Sequence, residues 1–246
     1  MPRVIASIEA RMGSSRLPGK VLENINDKPS LTRLLTRLRK CVYLDDIVVA
    51  TSTNHQDDAI VQWAEEENVA IYRGSEDDVL QRVVNAQESM QSDIVVEITG
   101  DCPLIDPDII DMGVSTFLNN SYDVVSNTFK PSYPMGVDVQ VFHFSLLKEI
   151  EQSVMDSVVR EHVSIYFYEH PERYSIIHLQ APPSLYGPTL RFQLDYPEDL
   201  QFIRTVYKEL EPMFGVCFST GDVFKLLRDK PELKTINAHL QEKPTR

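Results

Sequence analysis

Residues 8–21 read IEARMGSSRLPGKV, and this stretch decides the fold. It continues the apolar run Val4–Ile8, which is typical of a buried parallel strand. The regular pattern then stops, because Gly13 and Gly19 permit close backbone approach or positive φ and Pro18 fixes a turn. The sequence therefore predicts a strand that ends in an irregular loop, whose successive backbone N–H groups can be aimed at an anion.

The same loop concentrates positive charge. It contains Arg11, Arg16 and Lys20 together with the small hydroxyl donors Ser14 and Ser15. Cations beside backbone donors can neutralise and orient a polyphosphate. A Gly/Ser/Pro loop with basic residues is also often only a solvated turn, and the Walker pattern GxxxxGK[ST] is absent.

The charge distribution favours the anion site. The chain carries a formal net charge of −13, yet residues 1–40 hold nine Lys and Arg against three Asp and Glu. A basic opening segment in an acidic protein predicts a local anion site. No basic run exceeds the pair Arg39-Lys40, so we expect no nucleic-acid partner, since such binding needs clustered cations.

Length and composition bound the class of protein. The chain has 246 residues and 42% hydrophobic composition, enough for one large domain with a sizeable core. No apolar stretch approaches the roughly 18 residues of a membrane span, and the opening MPRVIASIEA lacks a signal-peptide core, so we expect a cytoplasmic protein without a membrane partner. Three widely spaced cysteines predict reduced thiols.

Strand and helix patterns alternate about every 20 to 25 residues in the first half of the chain. Strands are predicted at Asp46–Thr51, Val69–Tyr72 and Asp93–Thr99, and helices at Pro29–Lys40, Asp57–Glu67 and Ser75–Met90, the last with Ser75 as its N-cap. This alternation predicts βαβ units, a mainly parallel sheet and helices on both of its faces. Later strands are expected at Val137–Phe144, as an exposed edge, and at Leu190–Leu194.

Two aspartates follow predicted strands. Gly100 lets the chain turn sharply and leaves Asp101 at a strand tip, and Asp195 occupies the same place after Leu190–Leu194. Because ligands bind outside the carboxyl ends of parallel strands, both carboxylates are expected beside the basic loop. Mg²⁺ takes one or two carboxylates plus phosphate oxygens, so a magnesium site is predicted there. A lone strand-end Asp is also a common cap or turn residue.

Six motifs resemble those of one family. They are ARMGSSRLPGK at 10–20, RGSEDDVL at 73–80, ITGDCPLIDP at 98–107, GVDVQVF at 136–142, REHV at 160–163 and LDYPEDL at 194–200. The set and its order resemble the spore-coat polysaccharide biosynthesis family of cytidylyltransferase-like proteins. That family is similar to the 3-deoxy-manno-octulosonate and acylneuraminate cytidylyltransferases, whose opening loop has the form R-x-x-S-[ST]-R-L-P-x-K.

The resemblance implies an α/β, Rossmann-like nucleotidyltransferase fold of the GT-A-like type. Residues 1–246 would form a single domain with a mainly parallel central sheet, helices on both faces and a smaller antiparallel insertion. About 1–126 and 190–246 would form the nucleotide-binding core. About 127–189 would form the acceptor-binding and dimerisation part, so a homodimer is expected.

The resemblance also implies roles for individual residues. Arg11, Lys20, Asp101 and Asp195 would be catalytic, and the two aspartates would bind the metal. The nucleotide would contact Arg11, Met12, Gly13, Ser14, Ser15, Arg16, Lys20, Arg73, Gly74, Ser75, Asp78, Thr99, Gly100 and Asp101, and the acceptor would contact Asp138, Gln140, Glu161 and His162. Two positions depart from the family pattern, because Glu9 replaces a usual Gln and Gln140 replaces a usual acid.

The implied activity is that of a Mg²⁺-dependent cytidylyltransferase. It would transfer CMP from CTP to a sugar, sugar-acid or phosphorylated acceptor and release pyrophosphate, supplying activated sugar for surface polysaccharide or glycan biosynthesis. Two alternatives stay open: a glycosyltransferase that uses a nucleotide sugar, and an inactive nucleotide-binding module, which the two departures support. For the acceptor residues, His162 is alternatively a core histidine, and Glu161 alternatively forms a structural ion pair with Arg160.

Overall fold

Strands and helices alternate through the first half of the chain, as the apolar periodicity predicts. The computed structural model describes residues 2–241. The strands of this part are β1 Val4–Glu9, β2 Asn24–Ile25, β3 Lys28–Pro29, β4 Asp46–Ser52, β5 Ala70–Gly74, β6 Ile94–Thr99, β7 Val124–Ser126, β8 Gln140–His143 and β9 Ile176–His178. The α-helices are α1 Ser30–Leu38, α2 Asp58–Glu66, α3 Val79–Ser89, α4 Pro107–Leu118, α5 Phe144–Ser153, α6 Ser157–Glu161, α7 Ile165–Glu169, α8 Pro197–Phe214 and α9 Thr220–Asp229.

Seven strands form one sheet in the order β5-β4-β1-β6-β8-β7-β9. β1 lies between β4 and β6 and is parallel to both, and β4 is parallel to β5. β8 is antiparallel to its neighbours β6 and β7, and β7 is parallel to β9. β2 and β3 form a separate two-stranded antiparallel hairpin. The predicted fold class, a mainly parallel sheet with a smaller antiparallel part, is confirmed.

Helices cover both faces of the sheet because alternate residues of each strand point to opposite sides. On one face Ile5, Val48 and Val95 pack with side chains of α3, α5, α6 and α7. On the other face Ile8 and Val49 pack with side chains of α1, α2, α4, α8 and α9. Each of these five strand residues is at most 1% exposed. The near-continuous apolar runs of β1 and β4 therefore reflect burial on both faces.

Two buried arginines of α1 tie the start of the chain to its last helices. Arg37 is 1% exposed and donates hydrogen bonds to the backbone carbonyls of Ile105, Val216 and Phe218. Arg33, also 1% exposed, pairs with Glu211 at the carboxyl-terminal part of α8. These contacts satisfy guanidinium groups that would be costly to bury without partners.

The predicted strand at Leu190–Leu194 is wrong. This segment makes one isolated bridge, between Arg191 and Met135, and the Leu194 N–H donates to the Asp101 carbonyl at 2.8 Å. Phe192 and Leu194 are nevertheless at most 1% exposed, since they pack into the core beneath α8 and α9. The apolar alternation thus marked burial and not strand pairing.

Two further boundaries differ from the predictions. The third long helix begins at Val79, and its N-cap is Asp78, whose side chain accepts from the Gln81 N–H at 3.0 Å; Ser75 is not the cap. The predicted strand Val137–Phe144 shortens to β8, because the Asn127 side chain bonds the backbone of Val137 and Val139 at 2.8 Å each. β8 is also internal to the sheet and not an exposed edge.

Two broader expectations can be compared with the described residues. Cys41, Cys102 and Cys217 carry free thiols, as predicted. Within residues 2–241, none of the helices combines the length and the apolar character needed to cross a membrane.

Candidate active site

The loop after β1 is held in a fixed shape by its own backbone. The Met12 carbonyl accepts hydrogen bonds from the N–H groups of Ser14 at 3.0 Å and Gly19 at 2.9 Å. Gly19 has φ 72°, in the left-handed region that a side chain disfavours. Lys20 follows at once, and its N–H bonds the Leu17 carbonyl at 3.1 Å. The loop therefore closes on itself and presents the Lys20 side chain in a defined direction.

Lys20 lies between the two predicted metal ligands. Its Nζ is 2.6 Å from Asp101 Oδ2 and 2.8 Å from Asp195 Oδ1. Arg16 Nη2 also contacts Asp195 Oδ1, at 2.6 Å. The structure thus brings the basic loop and the two distant aspartates together at the carboxyl end of β6.

Asp101 reaches this position through a close backbone approach. The Gly100 N–H donates to the Glu9 carbonyl at 2.8 Å, so the ends of β1 and β6 stay paired. A Cβ at Gly100 would lie 2.8 Å from that same oxygen, which is too close for any side chain. Gly100 therefore sets the direction in which the chain leaves the sheet and places Asp101.

Asp195 is held by a second set of charges. Arg191 Nη2 lies 3.5 Å from Asp195 Oδ2 and 3.2 Å from Asp199 Oδ2. Asp199, which is fully buried, accepts from the Asp195 N–H at 3.1 Å and from the Asn237 side chain at 2.9 Å. These bonds fix Asp195 without a flanking strand.

The ion pairs change the ionisation of the central groups. Burial alone would lower the pKa of Lys20, but the carboxylates of Asp101 and Asp195 outweigh it and raise that pKa above its ordinary value. Burial pushes the pKa of Asp101 upward, but the Lys20 ammonium reverses this and lowers it. At neutral pH the cluster therefore holds a charged lysine and an ionised Asp101.

A cavity of about 800 Å³ opens above this cluster. Thirteen of the sequence-predicted site residues line it: Arg11, Gly13, Ser14, Ser15, Arg16, Lys20, Thr99, Gly100, Asp101, Asp138, Glu161, His162 and Asp195. Six do not line it, and these are Met12, Arg73, Gly74, Ser75, Asp78 and Gln140.

The residues outside the cavity have structural contacts. The guanidinium of Arg73 bonds the Ser52 carbonyl at 2.9 Å and pairs with Asp58 at 2.7 Å. Asp78 caps α3 and pairs with Arg160, which also contacts Glu151 at 3.1 Å. Gly74 is the last residue of β5. Met12 and Ser75 lie in loops, where the Met12 N–H donates to Asp57 Oδ1 at 2.7 Å and Ser75 Oγ accepts from the Asp78 N–H at 3.1 Å.

Gln140 supports the cavity wall from behind. Its Oε1 accepts from the hydroxyls of Thr128 at 3.2 Å, Ser164 at 2.9 Å and Tyr168. Thr128 lines the cavity, whereas Gln140 itself does not. Gln140 therefore supports the cavity wall indirectly, by holding the hydroxyl of Thr128.

Glu161 and His162 lie at the end of α6 with exposed side chains that reach the cavity. His162 is therefore not a core histidine. Arg160 pairs with Asp78 and Glu151, so the alternative ion pair between Arg160 and Glu161 does not form. Asp138 lies across the cavity, where its Oδ2 accepts from the Gly136 N–H at 3.2 Å.

Three further charged groups lie beside the loop; Glu9 was noted in the sequence as a departure from the family pattern, whereas Arg82 and Glu97 were not singled out. Glu9 and Arg82 line the cavity, and Glu97, 6% exposed, lies behind Glu9 on β6. Burial, with Glu97 as the next cause, raises the pKa of Glu9 well above its ordinary value. Burial raises the pKa of Glu97 to about 7. Arg82 lies three residues after Val79, which also lines the cavity, so both side chains lie on the same face of α3. This helical spacing was the sequence signal from which the position of Arg82 could have been found.

The donor set fits a hard divalent cation. Asp101 and Asp195 each place one carboxylate oxygen within 3 Å of a single point, the Lys20 Nζ position. In residues 2–241 no group of three or more His, Cys, Asp or Glu side chains is arranged to hold a metal. Two carboxylates completed by phosphate oxygens and water match the preference of Mg²⁺.

A mainly parallel α/β sheet with a basic loop facing two carboxylates at its carboxyl edge is typical of the class of nucleotide-binding proteins. Comparison with known proteins narrows the class. The cytidylyltransferase family profile matches residues 5–219. The chain belongs to the cytidylyltransferase family.

Individual relatives agree with this assignment. The spore coat polysaccharide biosynthesis protein SpsF of Bacillus subtilis is 30% identical over 240 residues, which cover 96% of this chain and 98% of SpsF. A 3-deoxy-manno-octulosonate cytidylyltransferase of Trichlorobacter lovleyi is 31% identical over 119 residues, 48% of this chain and 46% of that protein. A solved cytidylyltransferase of Leptospira borgpetersenii superposes with a TM-score of 0.90 and 28% identity over 99% of this chain and 100% of its own. The resemblance inferred from the motifs is confirmed.

Proposed function

We propose that this protein transfers CMP from CTP to a sugar-type acceptor and releases pyrophosphate. The observation that carries the proposal is the position of Lys20, beside Arg16 and between Asp101 and Asp195, at the floor of the cavity. Side-chain cations that can bind a triphosphate and carboxylates that can bind its magnesium ion therefore lie together. Family membership supports cytidine as the base.

Phosphate binding falls to the loop. Arg11 is exposed at the cavity and forms no hydrogen bond or ion pair within residues 2–241, so its guanidinium is available to a ligand. Arg16 and Lys20 lie deeper and would take the charge that develops on the departing pyrophosphate. The reaction joins an acceptor oxygen to the α-phosphorus while the bond from that phosphorus to the bridging oxygen of pyrophosphate breaks.

Asp101 and Asp195 would hold the magnesium ion. When bound, Mg²⁺ neutralises and orients phosphate oxygens, which lowers the cost of charge in the transition state. Arg191 and Asp199 would keep Asp195 in place throughout, because both stay bonded to it.

The acceptor would bind against the part formed by about residues 127–189. Asp138, Glu161 and His162 line the cavity there and offer acceptor and donor atoms to sugar hydroxyls. Glu161 and His162 are also the candidates for removing a proton from the attacking hydroxyl. A phosphorylated or acidic acceptor would instead bring its own anionic oxygen and need no base.

The test is pyrophosphate release, measured with each of the four nucleoside triphosphates against neutral, acidic and phosphorylated sugars. Release with CTP and one acceptor class is expected, and Asp101→Asn serves as the inactive control. Release of a nucleoside diphosphate from a nucleotide sugar would identify the glycosyltransferase alternative. Tight CTP binding without turnover across the panel would identify the inactive module.

We also propose a cytoplasmic homodimer whose interface includes residues within about 127–170. Phe129 and Met155 of this segment are 52% and 84% exposed, and they are the apolar side chains that a partner subunit would cover. The internal position of β8 removes the argument from an open sheet edge. Light scattering that gives a monomer at micromolar concentration would contradict the dimer.

A further inference from the structure

We propose that Lys20 is an internal counter-ion that occupies the metal position until the triphosphate arrives, so that the site admits a divalent cation only together with nucleotide. The inference rests on the proposed function for the identity of the nucleotide. It goes beyond that function by assigning the order in which the site is filled.

The first argument is steric. Lys20 Nζ touches Asp101 Oδ2 at 2.6 Å and Asp195 Oδ1 at 2.8 Å. An ion bound by the same two oxygens at the roughly 2.0–2.1 Å that Mg²⁺ requires would lie almost where this ammonium lies. Both cations cannot contact the same pair of oxygens at once.

The second argument is electrostatic. The carboxylates of Asp101 and Asp195 are already balanced by Lys20 and Arg16, and Arg191 faces Asp199 and Asp195 beside them. A divalent ion added alone would leave this buried cluster with excess positive charge, whereas one added with a triphosphate would not.

The third argument is the ligand count. Asp101 and Asp195 supply two oxygens, and no third acidic or imidazole ligand joins them among the described residues. An ion with so few protein ligands depends on oxygens from its substrate. The phosphates would therefore supply both the missing ligands and the charge that draws Lys20 away.

The loop lets Lys20 move without unfolding. Its backbone is fixed by the Gly19 turn and the Leu17 bond, but the side chain is a flexible four-carbon stem. Arg11 and the backbone of Gly13 line the same cavity and mark where phosphates would lie. The ammonium can thus pass from carboxylates to phosphate by side-chain rotation alone.

The experiment measures binding of Mn²⁺, used in place of Mg²⁺, by the electron paramagnetic resonance signal of the free ion. It compares wild type with Lys20→Met, with and without a CTP analogue whose α and β phosphates are joined by a methylene group. Lys28→Met is the matched control, since Lys28 is exposed and remains outside the cavity. Titration of Mn²⁺ into the analogue without protein gives the amount of Mn²⁺ that the nucleotide binds by itself.

Without nucleotide, Lys20→Met should bind one Mn²⁺ per chain at least about tenfold more tightly than wild type, because the competing charge is gone. Lys28→Met should behave as wild type. With the analogue, wild type should hold one Mn²⁺ per chain beyond that of nucleotide alone, and the advantage of Lys20→Met should disappear.

The inference is overturned if nucleotide-free wild type holds one Mn²⁺ as tightly as it does with the analogue, and this arm does not depend on the variant folding. It is also overturned if Lys20→Met gains no affinity although its circular dichroism spectrum matches wild type. Absence of pyrophosphate release with every triphosphate would remove the proposed function while leaving these Mn²⁺ results to stand on their own.

Discussion

The two walls of the cavity are built differently. On the wall proposed to bind the nucleotide, here called the nucleotide wall, Lys20 and Arg16 are fixed by contacts of 2.6–2.8 Å to carboxylates that are themselves largely buried. On the wall proposed to bind the acceptor, here called the acceptor wall, Glu161 and His162 are exposed at a helix end, and no Lys or Arg from the described residues 127–138 or 161–162 lines the cavity. The difference supports the proposal that the first wall binds a constant ligand and the second admits different acceptors.

The largest effect is expected on the nucleotide wall. Asp101→Asn should reduce pyrophosphate release by about a hundredfold or more, since it removes a charge that acts on the transferring group. The fold should survive, because Lys20 keeps Asp195 as a partner. Turnover and the thermal melting temperature are measured on the same preparation. Full turnover in this variant would show that Asp101 is only a turn residue.

The second effect concerns Glu97, on the strand between the two walls. Burial raises its pKa from the ordinary 4.5 to about 7, so the folded state keeps a proton that the unfolded state loses between these values. The free energy of unfolding should therefore fall as pH rises through this window, by about 3 kcal/mol for a shift of this size. Urea unfolding of wild type and Glu97→Gln at pH 5 and pH 7.5 tests this, because the variant should lack that part of the decrease. If the free energy of unfolding decreases equally in wild type and Glu97→Gln between the two pH values, Glu97 does not hold the proton.

Arg11 gives a smaller effect with a sharp control. Arg11→Ala should weaken CTP binding by about 1.5 kcal/mol, at the low end for a charge-assisted hydrogen bond because the side chain is exposed. Binding of cytidine should not change, since the contact is to phosphate. Calorimetry with both ligands measures the difference. An equal loss of affinity for CTP and for cytidine would mean that Arg11 contacts the nucleoside and not the phosphates.

The smallest effect on substrate binding is expected on the acceptor wall. Glu161→Gln should raise the KM for the acceptor by about three- to tenfold, since one exposed hydrogen bond contributes about 1 kcal/mol, and leave the KM for CTP unchanged. Steady-state kinetics with each substrate varied in turn give both values. A change in the KM for CTP alone would mean that the walls are not separate.

The sequence predicted the parallel half of the fold well because its signal is local. Buried parallel strands are continuous apolar runs, and their carboxyl ends meet at one edge, so Asp101 and the basic loop could be placed together in advance. Asp195 was placed correctly on a wrong premise, since Leu190–Leu194 is not a strand. Its position depends on the Arg191 and Asp199 contacts, which no local pattern announces.

The remaining site could not be predicted because it depends on side-chain direction. Gln140 and Arg82 show this: one was expected at the acceptor and supports Thr128 from behind, and the other was overlooked and lines the cavity. Glu9, noted in the sequence only as a departure from the pattern it resembles, lines the cavity too. Packing between elements that are far apart in sequence decides the direction of each of these side chains.

The contacts of Arg37 bear on how the protein is made. Synthesis delivers α1 early, but two of the three carbonyls that satisfy this buried guanidinium belong to Val216 and Phe218. On a ribosome, the arginine of the helix that follows the basic loop therefore stays in water until the chain has emerged as far as Phe218. A nascent chain that stalls before about residue 218 should bind no nucleotide, however completely β1, β4, β5 and β6 have paired.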